Sequence, residues 1–162
     1  METIKLYPRF EEGYFVERDN RFVMRLKKKN GEVVSAFIGN PGRMEEFLVP
    51  GHPFFMTSGN KGKYEYRVVS TFYQDSYMFL DTIKINYVVE QLIKANRIAE
   101  FRDTISVKRE VKVDDVELSK FDFRLDFRKR PPVLLEVKSC SLCHNVVAMF
   151  PDAPTTRGKR HM

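Results

Sequence analysis

The chain lacks the segments that would place it across or outside a membrane. Its 162 residues contain no apolar run of roughly 18 residues, the length that a membrane-spanning helix needs. The opening residues METIKLYPRFEEG also lack the basic-then-apolar pattern of an export signal. No membrane partner is therefore expected, and the cytoplasm is the expected location.

Cysteine is scarce, since the whole chain has two. That number is too small for the disulfide framework of a small secreted domain, so free thiols in a reducing compartment are expected. The segment CSLCH (residues 140–144) matches the haem c attachment pattern, but attachment requires export. A zinc site or redox pair is also disfavoured, because the chain has no second cysteine pair. A strand followed by a turn is the preferred interpretation.

A strong excess of one charge is also missing, although the balance is basic. The chain has 28 Lys and Arg against 22 Asp and Glu, which gives a net charge of +6. This excess favours a polyanionic partner such as nucleic acid, but many soluble proteins carry as much charge for solubility alone. With 43% hydrophobic and 13% aromatic residues, the chain can build a packed core.

Residues 1–75 are predicted to form a small all-β domain. Short strand-like segments alternate with turns, and Asn30-Gly31 between two such segments is a signal for a hairpin with a type I′ turn. Asn60 to Gly62 marks a second predicted turn. Short strands at this spacing favour a five-stranded OB-like barrel, a common surface for oligonucleotides, while a β-sandwich is the alternative.

A change of periodicity separates a second domain, predicted at residues 85–162, from a linker at 76–84. Five apolar residues then recur at helical spacing: Ile85, Val88, Val89, Leu92 and Ile93. They predict a helix of about a dozen residues whose first turn Asn86 can cap.

Three strands are predicted after this helix, at residues 104–113, 121–127 and 133–139. The second alternates apolar and polar side chains, as a half-buried strand does, whereas VLLEV in the third is more continuously apolar and predicts a central strand. A turn through residues 129–132 would bring the second and third strands side by side.

These two strands carry the residue types of a phosphodiesterase site. Glu136 and Lys138 are two residues apart, so they share one face of a strand. Asp122, on the neighbouring strand, can reach the same place. Two carboxylates suffice to bind Mg²⁺ or Mn²⁺, and Lys138 can orient the attacking water and stabilise charge on the phosphate. The sequence predicts Asp122 and Glu136 as metal ligands and all three residues as catalytic.

Glu90 on the predicted helix is a candidate third acid, with Glu110 as its rival. An ordinary solvated helix acid is the competing interpretation of Glu90. E-x-K tripeptides are common, and an exposed ion pair would explain Glu136 and Lys138 equally well. The apolar-flanked Asp122 and the preceding helix favour the catalytic interpretation.

Basic residues outside this site are candidates for binding nucleic acid. Arg43 follows the turn at Asn40 to Gly42, which is predicted to open a short helix, and can contact phosphate. The run at residues 27–29 is a solvated loop tip or a contact to a nucleic-acid backbone. Near the C-terminus, four basic side chains occupy the first turn of a predicted helix, where backbone amides favour anions. They are Arg157, Lys159, Arg160 and His161, and the alternative is a solvated helix start.

The segments FDFRLDF, LLEVKS and FPDAPTTRGKRH, with FVERDNRF, NPGR and LVPG earlier, resemble the sugar fermentation stimulation protein A family. The resemblance covers nearly the whole chain from Gly13. It implies an OB-like domain followed by a PD-(D/E)xK restriction-endonuclease-like domain of α/β type, and DNA binding. Four acid or lysine positions and one segment correspond to family motifs: Asp122, Glu136, Lys138, Glu90 and residues 157–161.

The family's nuclease fold continues beyond this segment, so the resemblance implies a C-terminally incomplete domain. Two functions are expected from these observations. The first is Mg²⁺- or Mn²⁺-dependent cleavage of DNA, with RNA as a second candidate substrate. The second is a non-catalytic DNA-binding regulator of sugar (maltose) metabolism that keeps a nuclease fold. A homodimer is the candidate assembly.

Overall fold

The computed structural model describes residues 3–59, 62–112, 120–140, 143–144 and 147–148. These residues divide into two compact units. The barrel unit runs to Lys84 and includes two short strands after Ser139, and the second unit spans Ile85–Ser139. None of the helices in the described ranges has the length and hydrophobicity that a membrane span requires.

A sheet of six strands forms the barrel among the described residues of the first unit. They are β1 (Glu11–Asn20), β2 (Val23–Lys28), β3 (Val33–Ile38), β4 (Pro53–Thr57), β5 (Tyr66–Tyr73) and β6 (Ser76–Phe79). Neighbours in the order β3-β2-β1-β4-β5-β6 are antiparallel, and a parallel pairing of β3 with β5 closes five of them into a barrel. The predicted five-stranded OB-like barrel is confirmed.

Strand β1 lies between β2 and β4 and pairs with both. Gly13 pairs with Lys28 on β2 and with Phe54 on β4. A Cβ atom at Gly13 would lie 3.0 Å from the Cβ of Leu26, so glycine permits this close approach. Alternating side chains of the strands fill the interior, among them Phe15, Met24, Leu26, Ala36, Ile38, Phe54, Met56 and Val68. The barrel therefore has its own continuous apolar core.

The hairpin predicted at Asn30-Gly31 is present, but its turn differs from the prediction. A type I′ turn needs positive φ at both positions, and only Gly31 has it, at +89°. The amide of Lys28 donates to the carbonyl of Glu32 at 2.8 Å, so three residues form the loop. Gly31 in turn donates to Lys28 at 2.9 Å, which is the pattern of a type I turn followed by a glycine bulge.

Two positive φ angles occur instead at Gln74 (47°) and Asp75 (59°), between the paired residues Tyr73 and Ser76. This two-residue turn joins β5 to β6, and a 3-10 helix at Thr82–Lys84 follows. Residues 76–84, predicted as a linker, therefore carry a strand of the barrel unit. The physical reason is that β6 satisfies its backbone hydrogen bonds on β5.

A buried acid fixes the end of this segment. Asp81 is 0% exposed and accepts two hydrogen bonds from Arg67, at 2.6 and 2.7 Å, and a third from the hydroxyl of Tyr7. Burial of the Tyr7 hydroxyl next to this carboxylate raises the pKa of Tyr7 well above its usual value. These three residues, the Tyr7–Arg67–Asp81 cluster, attach the N-terminal segment to β5 and to the residues after β6.

The second unit contains helix α1 (Ile85–Lys94), a 3-10 helix (Ala99–Phe101) and the antiparallel strands β7 (Thr104–Lys112), β8 (Lys120–Phe127) and β9 (Val133–Leu135). The helix and the three strands are confirmed, although β9 ends before the predicted limit at Ser139. Ile93 of α1 packs with Phe123, Leu125 and Phe127 of β8.

The prediction of a central third strand is wrong for the described residues. Among the described residues, β8 is the middle strand of this sheet and β9 is an edge strand that pairs with β8. A continuous apolar run is not diagnostic of a central strand, because helix packing on one face can also bury it. Two further short strands, β10 (Cys143–His144) and β11 (Val147–Ala148), pair with each other.

Candidate functional site

Asp122 lies on β8 where helix α1 begins and β9 ends. Its Oδ1 atom accepts a hydrogen bond from the side-chain amide of Asn86 at 2.8 Å. Its Oδ2 atom accepts one from the backbone amide of Val137 at 2.7 Å. A carboxylate is required to satisfy both donors, because the asparagine side chain has a single oxygen acceptor. Two elements therefore hold Asp122 in one orientation.

Glu136 is the next residue opposite Asp122 if the β8–β9 register, in which Phe123 faces Leu135, is extended by one position. Its Oε1 atom is 2.7 Å from the Nζ atom of Lys138, which is 56% exposed. Its Oε2 atom is buried and has no hydrogen-bond donor among the described residues. Such an atom in a folded protein needs a cation, a proton or an ordered water to offset its desolvation.

Glu90 makes different contacts from those expected of a third acid in this site. Its carboxylate binds Lys94 at 2.7 Å and Arg109 of β7 at 3.5 Å. No group of three His, Cys, Asp or Glu side chains arranged to hold a metal ion occurs within the described ranges. Glu110, the rival acid, is 73% exposed and forms an ion pair with Lys120 at 3.8 Å.

Asn86 is a site residue that the sequence did not reveal. Its position before the apolar stripe predicted a helix cap, whereas its amide group donates to Asp122. Asn86 and Glu90 are four residues apart on α1, so they share one helix face. A polar residue on the face that approaches β8 was the available signal, but the partner could not be known without the packing of α1.

A matched acid on the same strand has a different environment. Asp126 lies four residues after Asp122 on β8, on the same face of the strand. Its carboxylate binds Arg124 at 2.9 Å and Lys108 at 3.7 Å. The Arg124 guanidinium lowers the pKa of Asp126. Its charge is compensated by two cations, whereas Asp122 is held by two neutral donors.

Arg43 stands on the loop after β3, with its side chain 91% exposed and Glu45 3.9 Å away. The loop forms the predicted turn, in which the amide of Gly42 donates to the Asn40 side chain at 2.9 Å. The short helix expected after it is absent: residues 45–47 form a single turn closed by Phe47 donating to Met44 at 2.9 Å. Met44 has a φ of 53°, which is incompatible with a helix starting there.

The lysines of the hairpin tip have acidic partners. Lys28 lies 3.4 Å from Glu11 and 3.2 Å from Glu32, and Lys29 lies 2.6 Å from Glu12. Their charges are compensated within the protein, which favours the interpretation as a loop tip. The C-terminal candidates Arg157, Lys159, Arg160 and His161, and the turn predicted at Asn60, lie outside the described residues.

Comparison with known proteins identifies both halves of the chain. Residues 16–80 match the family model described as the SfsA N-terminal OB domain. Residues 84–162 match the model described as the sugar fermentation stimulation protein RE domain.

Curated relatives carry the description sugar fermentation stimulation protein homolog. The chain is 35% identical to the one from Shewanella frigidimarina, over 98% of this chain and 69% of that protein. It is 38% identical to the Aquifex aeolicus relative, over 91% and 63% of the two chains. It is 33% identical to the Methanosphaera stadtmanae relative, over 93% and 63%. The chain thus spans roughly two thirds of the length of these relatives.

A solved structure supports the same relationship. SfsA of Pyrococcus furiosus, determined in complex with Ca²⁺, superposes with a TM-score of 0.81 at 28% sequence identity. The match covers 99% of this chain and 67% of the Pyrococcus chain.

Proposed function

The chain belongs to the sugar fermentation stimulation protein family, and on that premise we propose that its second unit is a divalent-metal-dependent nuclease acting on DNA. Asp122 and Glu136 are the proposed metal ligands, with Lys138 beside them. The observation that carries the proposal is the buried Oε2 atom of Glu136, which has no hydrogen-bond donor among the described residues. Mg²⁺ and Mn²⁺ are the proposed cofactors.

The side chains fit a hard cation. Asp122 offers carboxylate oxygens from β8 and Glu136 from the residue just after β9, and each hydrogen-bonded oxygen of Asp122 keeps a second lone pair. Mg²⁺ needs few protein ligands, because it retains waters and binds substrate phosphate. When bound, the ion would supply positive charge to the phosphate and would lower the pKa of a water molecule, whose deprotonated form is the nucleophile toward phosphorus. Two carboxylates are therefore a sufficient protein contribution.

The remaining side chains position the acids and the substrate. Asn86 and the Val137 amide fix the direction of Asp122. Lys138 neutralises one oxygen of Glu136 while its exposed ammonium group is available to a phosphate oxygen. A fixed cation at the place where negative charge increases stabilises the transition state of phosphodiester hydrolysis.

The Pyrococcus relative was determined with Ca²⁺, which supports cation binding in this family. Ca²⁺ and Mg²⁺ both prefer oxygen ligands, and Ca²⁺ is the larger and more flexible of the two. Binding of Ca²⁺ by this chain would therefore support the metal site independently of cleavage.

Calorimetric titration with Mn²⁺ and Ca²⁺, combined with cleavage of plasmid and single-stranded DNA, tests the proposal. Asp122→Asn and Glu136→Gln should each lower the cleavage rate by about 100-fold or more and weaken Mn²⁺ binding. Asp126→Asn is the matched control, because this acid lies on the same strand but pairs with Arg124 and Lys108. Equal Mn²⁺ affinity in the Asp122, Glu136 and control variants would contradict the metal site.

The contacts of Glu90 favour a second candidate, a DNA-binding regulator of sugar metabolism without turnover. Its pairing with Lys94 and Arg109 leaves two acids for a metal ion. The same experiment separates the candidates. DNA and Mn²⁺ binding without any cleavage would favour the regulator, whereas cleavage lost in Glu136→Gln would favour the nuclease.

A further inference from the structure

The turn between β1 and β2 presents an aromatic ring and a cation outward. Phe22 is 43% exposed although it is a large apolar residue. Its ring stacks on Phe37 of β3, with centroids 6.5 Å apart and an interplanar angle of 11°. The guanidinium of Arg67 lies 5.1 Å from the centroid of the Phe37 ring. Phe22 is therefore the outer layer of a three-membered stack.

This stack is held in place by contacts inside the barrel unit. Asp81, at 0% exposure, fixes Arg67 through two hydrogen bonds. The amide of Ile38 donates to the carbonyl of Phe22 at 2.9 Å, which attaches the turn to β3. The Phe22 ring therefore packs on a neighbour, Phe37, whose own partner Arg67 is held by a buried carboxylate.

The side chain of Arg18 binds both the turn between β1 and β2 and the loop after β3. Its guanidinium donates to the carbonyls of Arg21 at 2.7 Å, Gly42 at 2.8 Å and Arg43 at 2.9 Å. The backbones of the Phe22 turn and of the loop after β3 thus converge on one side chain. Burial among these carbonyls lowers the pKa of Arg18.

The side chains of the two converging residues are available cations. Arg43 is 91% exposed and has a carboxylate only at 3.9 Å. Within the described part of the chain, Arg21 has no acidic partner, and its charge repels that of Arg18. Two exposed arginines, one of them 3.9 Å from Glu45, therefore lie on the two backbone segments that meet at Arg18 next to Phe22. Cations together with an exposed aromatic ring are the combination that binds a strand of nucleic acid through phosphates and a stacked base.

We propose that Arg21, Phe22 and Arg43 form a binding site for single-stranded nucleic acid, in which an unpaired base stacks on Phe22 and phosphates contact the two arginines. The ligand is a single strand, because a base within a duplex is already stacked on both sides and cannot lie flat on an exposed ring. This inference rests on the proposed function only in taking nucleic acid as the ligand. It adds that the ligand is single-stranded and that its contact residues lie in the barrel unit.

Fluorescence anisotropy in EDTA tests the site without cleavage. The probes are an oligothymidylate of about 20 nucleotides, an oligouridylate of equal length and the corresponding DNA duplex. Phe22→Ala should weaken single-strand binding by about 5- to 100-fold, whereas Phe22→Tyr should retain it. Phe72→Ala removes another exposed aromatic side chain of the barrel, at 39% exposure, and should leave binding unchanged.

Salt dependence distinguishes the phosphate contacts from stacking. Arg21→Ala and Arg43→Ala should each reduce the slope of log K against log salt by about 0.7, while Phe22→Ala should leave it unchanged. Arg25→Ala is the matched control, because Arg25 already binds Glu17 and lies 3.8 Å from Asp19.

Two outcomes would overturn this site. One is that Phe22→Ala binds single strands with the affinity of the parent protein, and the other is that the duplex binds as tightly as either single strand. Neither outcome bears on Asp122 and Glu136, whose test is metal affinity and cleavage. Conversely, absence of cleavage with intact, Phe22-dependent binding in EDTA would contradict the nuclease and support the single-strand site.

Discussion

The two units differ in how far their buried carboxylate oxygens are hydrogen-bonded. In the barrel unit, the carboxylate of Asp81 is completely buried and fully hydrogen-bonded by Arg67 and Tyr7. In the second unit, one oxygen of Glu136 is buried without a donor among the described residues. A satisfied buried acid stabilises a particular fold, whereas an unsatisfied one lowers stability unless a ligand completes it. The difference marks the barrel acid as structural and Glu136 as a candidate ligand.

The two units also differ in the size of their apolar cores. Among the residues that the structure describes, thirteen buried ones form one cluster inside the barrel and four form the corresponding cluster of the second unit. The barrel encloses its core on all sides by strand closure, while the described core of the second unit lies between one helix and one sheet face. The barrel is thus the better place for a rigid binding surface, and the smaller unit holds the candidate chemistry.

Removing the barrel's buried acid should have the largest effect on stability. Asp81→Ala leaves Arg67 without its partner, so the free energy of unfolding should fall by about 3–5 kcal/mol. Denaturant unfolding of the full chain measures it. Glu17→Ala, which breaks the exposed pair with Arg25, should cost about 1 kcal/mol or less. Equal losses in the two variants would erase the contrast between buried and exposed pairs.

In the second unit, loss of the residue that positions Asp122 should weaken metal binding. Asn86→Ala removes the donor to Asp122, and loss of such a partner typically weakens metal binding by about 10- to 100-fold. Calorimetry with Mn²⁺ measures the affinity. Gln91→Ala removes another side-chain amide of the same helix and serves as the control. A change in stability with unchanged Mn²⁺ affinity would make Asn86 a purely structural residue.

Regular patterns predicted much of this architecture. Alternation along residues 121–127 matches the buried Phe123, Leu125 and Phe127 of β8, and helical spacing matches α1. Both signals are local, because they report which face of one element is apolar. They also predicted that the second and third strands of this unit pair across a hairpin, and β8 and β9 do so, since a short connection favours antiparallel pairing.

Contacts between distant elements could not be predicted in this way. The donor of Asp122 comes from 36 residues away on α1, and the partner of Asp81 from 14 residues earlier on β5. Arg109 of β7 pairs with Glu90 of α1. Each depends on how a helix or strand is rotated against its neighbour, which composition and periodicity do not specify. Residues 76–84, predicted as a linker, contain β6, whose pairing with β5 is local.

The β5–β6 turn offers a test in the stabilising direction. Gln74 and Asp75 both have positive φ, a conformation that costs side chains other than glycine and asparagine free energy. Replacing the pair by Asn-Gly, through Gln74→Asn with Asp75→Gly, should raise the free energy of unfolding by about 0.5–1 kcal/mol. Denaturant unfolding measures it, and Asp75→Ala should instead give no gain. Destabilisation by the Asn-Gly pair would argue against the two-residue turn.

The smallest predicted effect is a pH dependence carried by His52 in the barrel. The hydroxyl of Thr71 donates to the carbonyl of Pro53 at 2.6 Å, so the ring Nε2 of His52, 2.7 Å from that hydroxyl oxygen, must be the donor between them. The ring also packs against Phe47 and Phe54. Burial lowers the pKa of His52 below its ordinary value of 6.5.

Because the folded pKa is lowered, the unfolded chain binds a proton more readily than the folded one as the pH falls below 6.5. The stabilisation is complete above that pH and is lost as the pH falls through the folded pKa. His52→Gln keeps a donor for Thr71 but cannot titrate, so its stability should decline less between neutral and mildly acidic pH. Parallel thermal unfolding across this range measures the difference, in which the other two histidines cancel. Superimposable pH profiles would show that His52 is protonated equally easily in the folded and unfolded states.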